Sequence, residues 1–186
     1  FSWVQVSVTR SLGARLDKHS FVDNPIVSPR ANLLLRLNGE SQIRLSGSTG
    51  YRAPQTFDED LHIESVSGEA LLIELAPDLG TERSWSSSGS YDHSYSNPDY
   101  YWGFTLEGFY TKVTDAFILE DNGEDTAGNF LLLKKNGGSA VVKGATLDLR
   151  ASTWKTSFQA GLTLQSSRYD DPVEWADGLF SDLMLR

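Results

Sequence analysis

Three observations predict an all-β fold for this chain. Apolar and polar residues alternate with period two over runs longer than ordinary strands. The connections between those runs alternate between short and long. The polar parity of the runs carries charged and amide side chains, as a water-filled lumen would require. Together they predict an antiparallel up-and-down meander of about eight strands, part of a larger transmembrane β-barrel.

The clearest run is Trp154 to Ser166. One parity reads Trp154, Thr156, Phe158, Ala160, Leu162, Leu164; the other reads Lys155, Ser157, Gln159, Gly161, Thr163, Gln165. Successive strand side chains point to opposite faces, so one face is apolar and the other polar. The run exceeds the ~5–6 residues of an ordinary strand and meets the ~9–11 of a tilted membrane-spanning one. Upstream, Val4, Val6 and Val8 alternate with Gln5, Ser7 and Thr9. Ala31, Leu33, Leu35 and Leu37 alternate with Arg30, Asn32 and Arg36, with Leu34 breaking the polar set. Ile43 and Leu45 alternate with Gln42, Arg44 and Ser46, and Trp102, Phe104 and Leu106 with Thr105 and Glu107. Ala145, Leu147 and Leu149 alternate with Thr146, Asp148 and Arg150. Arg83 to Asp92 is serine-rich and marked only by Trp85 and Tyr91; it is assigned as a strand because its neighbours need a partner.

Alternation alone also fits a soluble β-sandwich, whose half-buried strands share the pattern. The connections separate the two. Long segments at Asp17–Ser28, Ala53–Gly80, Asp121–Gly128 and Tyr169–Gly178 alternate with short turns at Asn38-Gly39-Glu40, Ser96-Asn97-Pro98-Asp99 and Ser152-Thr153. In an up-and-down barrel every second connection lies on the same side of the membrane, with short turns on the periplasmic side. A Greek-key sandwich obeys no such rule. Asn136-Gly137-Gly138 is read as a bulge inside one long strand, residues 129–151, because a hairpin there would break the sidedness. Trp102 and Trp154 each fall near a short turn, with Tyr95, Tyr100 and Tyr101 at the same level, and are expected at the membrane interface.

Composition narrows the function. Cysteine is absent, which removes disulfides, thiolate zinc sites and cysteine nucleophiles. The net charge of -9 makes nucleic acid an unfavourable partner. Of the 25 Asp and Glu, 17 fall in windows 17–28, 53–80, 120–128 and 169–178, which hold a single Lys, Lys18, and no Arg. An acidic rim of this kind favours cationic ligands, while loop solvation explains it equally well. Asp58, Glu59 and Asp60 adjoin on one loop and so cannot flank a glycosidic bond. His62 and Glu64 share a parity and could join Asp60 around a metal, though a solvated loop histidine is the simpler reading. His19 and His93 have no spaced partners, and no nucleophile elbow, phosphate loop or zinc spacing occurs. The chain is therefore read as a non-enzyme without cofactor or metal. Opening on Phe1 within a strand pattern and closing on the apolar run Leu179 to Arg186, it reads as an excerpt.

Ser46-Gly47-Ser48-Thr49-Gly50-Tyr51-Arg52-Ala53-Pro54 resembles the "S-x-x-x-G-[FY]-R-A-P" signature of TonB-dependent outer-membrane receptors, where a strand rises into a large external loop. Ser28-Pro29-Arg30, Leu75-Ala76-Pro77-Asp78, Tyr110 to Ile118 and Lys143 to Asp148 are similar to further family segments, in family order. Phe57 to His62 looks like the form found in Bacteroides-type receptors. Asp78 and Thr146 stand where the family has Glu, which leaves the role of those carboxylates unsupported. The resemblance implies a wall segment of a barrel of about 22 strands, with the plug domain and final strands outside residues 1–186. It further implies an outer-membrane location, a small solute ligand, lipid contact and energy coupling to TonB through the absent N-terminal part. Iron chelate, vitamin and glycan remain open as the solute. Isolated, such a piece has unpaired edges and no lipid, and has reason to depart from its native shape. Ligand contact is expected at Asp58, Glu59, Asp60 and His62, while Gly50, Tyr51, Arg52, Ala53 and Pro54 are expected to be structural. The alternatives are a soluble carbohydrate-binding β-sandwich using Trp85, Trp102 or Trp154 as a platform, and a passive porin or adhesin barrel.

Overall fold

The computed structural model describes residues 6–19, 22, 24–54, 71–124, 126, 128, 130–176 and 179–183, with side chains left aside at 71 and beyond 170. Among these residues eleven strands form. They are β1 (Ser7–Asp17), β2 (Ile26–Arg36), β3 (Ser41–Arg52), β4 (Leu71–Leu75), β5 (Glu82–Ser96) and β6 (Tyr100–Thr114). β7 (Phe117–Glu124), β8 (Phe130–Asn136), β9 (Ala140–Thr153), β10 (Ser157–Ala176) and β11 (Leu179–Leu183) complete the set. An eight-stranded antiparallel sheet runs β1-β2-β3-β5-β6-β9-β10-β11, and a second sheet of three runs β4-β8-β7. The main sheet is the meander that the alternation predicts.

Register shows why the alternation matters. Val8, Leu35, Ile43, Tyr91, Leu106, Leu147 and Leu162 lie opposite one another across seven strands. The adjacent row reads Ser7, Arg36, Gln42, Asp92, Thr105, Asp148 and Gly161. Cross-strand partners share a face, and a one-residue step changes it. One face of the sheet is therefore mainly apolar, broken on β1 by Arg10 opposite Leu33, and the other mainly polar, broken by Leu34, Phe109, Val113 and Val142. Leu106 is 51% exposed and Leu162 60% exposed. Leu33, Phe104 and Leu162 share that face, and no second sheet packs over it among the described residues, as a sandwich would demand.

The short turns lie together at one end of the meander. Asn38 Oδ1 accepts from the Glu40 N–H at 2.9 Å, and Asn97 Oδ1 accepts from Asp99 and Tyr100 N–H at 2.9 and 2.8 Å. In these turns the side-chain oxygen replaces a lost ladder acceptor. The third turn sits at Trp154-Lys155-Thr156, two residues beyond the predicted Ser152-Thr153, because β9 continues to Thr153. Thr153 donates its N–H to the Thr156 carbonyl at 2.8 Å and closes it.

Two expectations about the long connections need correction. Residues 129–151 are neither one bulged strand nor a hairpin. The chain leaves the main sheet after β6, rises as β7, returns as β8 in the small sheet, and rejoins the wall as β9. The switch points are Asp115, with φ of 54°, and Gly137-Gly138-Ser139. A Cβ at Gly137 would meet Ile118 Cγ2 at 2.8 Å, so the close passage requires glycine. Sidedness survives because no strand is added to the wall. The predicted loop 169–178 is also strand as far as Ala176, with irregular register against β11. Backbone pairing needs no apolar parity, so charged residues there do not end the strand.

Candidate functional site

The sequence-predicted contact residues Asp58, Glu59, Asp60 and His62 lie outside the described residues, as does Glu64. The described residues hold the wall and the junction from which the long connections leave.

On the polar face, side chains join strand to strand. The Arg150 guanidinium on β9 donates to Thr105 Oγ1 on β6 at 2.7 Å, and that hydroxyl donates to Asp92 Oδ1 on β5 at 2.7 Å. Ser46 and Ser88 hydroxyls meet at 2.8 Å, Ser86 and Thr111 at 2.9 Å, and Thr146 and Thr163 at 3.0 Å. These bonds run parallel to the backbone ladder and tie side chains that a lumen would otherwise leave to water. The face offers hydroxyls, amides and both signs of charge, which suits hydrogen bonding to a polar solute. Among the described residues no group of three or more His, Cys, Asp or Glu could hold a metal ion.

The Gly50-Tyr51-Arg52-Ala53-Pro54 segment forms the upper end of β3. β3 runs straight through Gly50, whose missing side chain admits Ser84 Oγ; an added Cβ would stand 2.8 Å from it. Glycine here allows close approach between β3 and β5. Pairing stops at Arg52, and Ala53 and Pro54 are buried. Arg52 Nη2 binds Glu82 Oε2 at 3.0 Å, and the same oxygen accepts the Phe117 N–H at 2.8 Å. The Arg52 guanidinium also lies 4.8 Å from the centre of the Phe117 ring, with Lys134 Nζ 4.9 Å from that centre. Two cations on one ring are tolerable because the ring faces attract positive charge and Glu82 compensates locally. Lys134 is 1% exposed.

Asn136 binds a third segment to this junction. Its Oδ1 accepts the Gly80 N–H at 2.6 Å and its Nδ2 donates to the Asp115 carbonyl at 2.8 Å. Glu82, Phe117, Lys134 and Asn136 escape sequence reasoning, because their partners lie 17 to 65 residues away. The Asp92, Thr105 and Arg150 chain was within reach, since the predicted parity places all three on the polar face.

The two tryptophans separate. Trp102 lies on the apolar face with Phe104 and Leu162, its ring 5.2 Å from His93. Tyr95 and Tyr100 stack nearby at 5.8 Å. Trp154 sits in the β9–β10 turn, 82% exposed, with Lys155 Nζ 4.1 Å above its ring. At the other end of the apolar face Trp85 and Tyr110 meet at 5.9 Å. Trp102 and Tyr110 are eight residues apart on β6, about 27 Å along a strand and about 20 Å in height at a tilt of roughly 40°. That is close to the ~25 Å apolar band of outer-membrane barrels.

Comparison with known proteins agrees with this geometry. The siderophore receptor PirA from Pseudomonas aeruginosa superposes with a TM-score of 0.71 at 19% identity, over 88% of this chain and 32% of that one. The chain thus spans about a third of the length of that receptor. No curated protein sequence matches. The family model described as TonB dependent receptor-like, beta-barrel matches residues 2–182, and the chain belongs to that family.

Proposed function

We propose that these residues form one section of the wall of an outer-membrane receptor that takes up a scarce solute with energy delivered by TonB. The observation that carries this reading is the register-locked apolar face, exposed or half-buried along its length and bounded at both ends by aromatic rings. A polar face opposite, three short turns at one end and a three-stranded crown at the other complete the division expected between lipid, lumen, periplasm and exterior. Plug and transducer contacts would come from parts of the receptor beyond residues 1–186. The likeness to a siderophore receptor supports an iron chelate among the candidate solutes, beside vitamins and glycans.

Within this reading the loop of residues 53–80 is the ligand-selecting element, with Asp58, Glu59, Asp60 and His62 making contact. Grafting residues 53–80 into a related receptor of known ligand should move its preference toward the ligand of this one. Competitive binding on whole cells measures the shift. A chimera that folds, reaches the outer membrane and keeps its original preference removes the loop from the proposal.

A further inference from the structure

The apolar face ends, toward the long connections, in a basic patch. Arg83, Lys112, Lys143 and Arg168 all share the parity of Trp85, Tyr110 and Leu164. Trp85 pairs with Lys112, Lys112 with Val141, and Val141 with Arg168. Arg83 and Lys143 sit two residues from that row, on β5 and β9. Each basic residue is thus a diagonal neighbour of the next, at about 7–8 Å on adjacent strands. Four successive wall strands contribute one cation each. Arg83, Lys143 and Arg168 are exposed, and Asp170 supplies one carboxylate, 3.7 Å from Lys112.

This placement departs from the rest of the molecule. The chain carries a net charge of -9, yet these cations gather where the apolar face stops. At the opposite margin of β5, β6, β9 and β10 the same face presents His93, Tyr95, Trp102 and Phe158, with no Lys or Arg. The two margins therefore face different chemistry. A guanidinium pairs with two phosphate oxygens at once and an ammonium supplies a compact charge. Leu164, one row below Lys143, and Leu106 farther down the same face suit acyl chains, and Trp85 and Tyr110 lie at the level between chain and headgroup.

We propose that this patch binds the phosphate groups of an anionic lipid in the leaflet on the long-connection side of the membrane. The inference rests on the wall reading and extends it to a lipid of defined headgroup chemistry. The receptor carrying this segment, folded in detergent, is titrated by native mass spectrometry. The probes are a bisphosphorylated acyl-disaccharide lipid, the same lipid without phosphates, and inorganic phosphate. The phosphorylated lipid is expected to bind at least tenfold more tightly than its dephosphorylated form. Arg83→Gln, Lys112→Gln, Lys143→Gln or Arg168→Gln alone should weaken it about fivefold at low salt. The fourfold variant should abolish the preference, and Lys155→Gln at the far turn should leave it intact.

Equal binding of the two lipids overturns the proposal, as does a preference that survives in single and fourfold variants. Inorganic phosphate binding as tightly as the lipid overturns it too. Each protein is checked for the heat-dependent gel shift of a folded barrel. A wild-type receptor without that shift, or missing from the outer membrane, would remove the wall reading itself. The two failures are thereby distinguished.

Discussion

Leu106→Arg separates a lipid-facing wall from every water-facing alternative. Leu106 lies on β6 midway between Trp102 and Tyr110, in the row of Tyr91 and Leu147, and is half exposed. About 13 Å of strand separates it from each aromatic level, too far for an arginine to reach either interface fully. At the midplane of a barrel wall an outward arginine costs about 2–4 kcal/mol, a loss of roughly 30- to 900-fold in the folding equilibrium. At a half-exposed site in water the same change stays within about 0.5 kcal/mol. Gln165→Arg, on the polar face, is the paired control, since among the described residues its side chain bonds only Ser167, at 3.4 Å. Urea-driven unfolding of the receptor from phospholipid vesicles, followed by the gel shift, gives both values. If the two variants fall within about 0.5 kcal/mol of each other, the apolar face does not touch hydrocarbon.

Glu82→Ala removes the oxygen shared by Arg52 and the Phe117 N–H and should destabilise the junction locally by about 1–3 kcal/mol; Glu82→Gln, which keeps an acceptor, should cost less. Hydrogen exchange at the Phe117 amide reads this directly, and unchanged protection in the alanine variant would show that the crown is held elsewhere. Gly144→Val should lower the unfolding midpoint by the equivalent of about 1–3 kcal/mol, because a Cβ there meets the Leu164 carbonyl and stands 2.7 Å from the Phe109 ring. Gly108→Ala, with nothing within 4 Å, serves as its control, and equal midpoints would contradict the close packing of β6, β9 and β10 on the polar face.

Period two was legible because the wall separates two environments along its whole length, so each residue reports its face. Even serine-rich β5 follows the rule: Ser86 and Ser88 bind Thr111 and Ser46 on the polar side, while Trp85 and Tyr91 hold the apolar side. The rule fails outside the wall. From Leu119 to Glu124 β7 is exposed on both parities, and the alternation that marks a strand has no cause there. Residues 120–124 and 169–176 therefore read as loops although their backbones pair. The β9–β10 turn lies two residues beyond its predicted place for a related reason. A turn needs backbone closure, which Thr153 and Thr156 provide, and a side-chain pattern cannot locate it to within two residues.

The distribution of buried residues follows from the same division. Ala53, Ala76, Ala116 and Ala140 are buried, and each stands where the chain passes between the wall and the crown or enters a long connection. A wall strand needs no protein core, since hydrocarbon can cover one face and lumen contents the other. A crown standing in water must bury backbone and side chains for itself. Alanine is small enough to let two sheets meet where Ala116 exchanges backbone bonds with Gly137 and Gly138, at 2.7 and 3.2 Å. Polar contacts concentrate at the same place, in Arg52, Glu82, Phe117, buried Lys134 and Asn136. A leucine at any of these alanines would separate the sheets and open the polar contacts to water. The Gly-Tyr-Arg-Ala-Pro segment is thus half wall and half junction. Tyr51 belongs to the apolar face, Arg52 clasps the crown, and Ala53 and Pro54 fill the space between them.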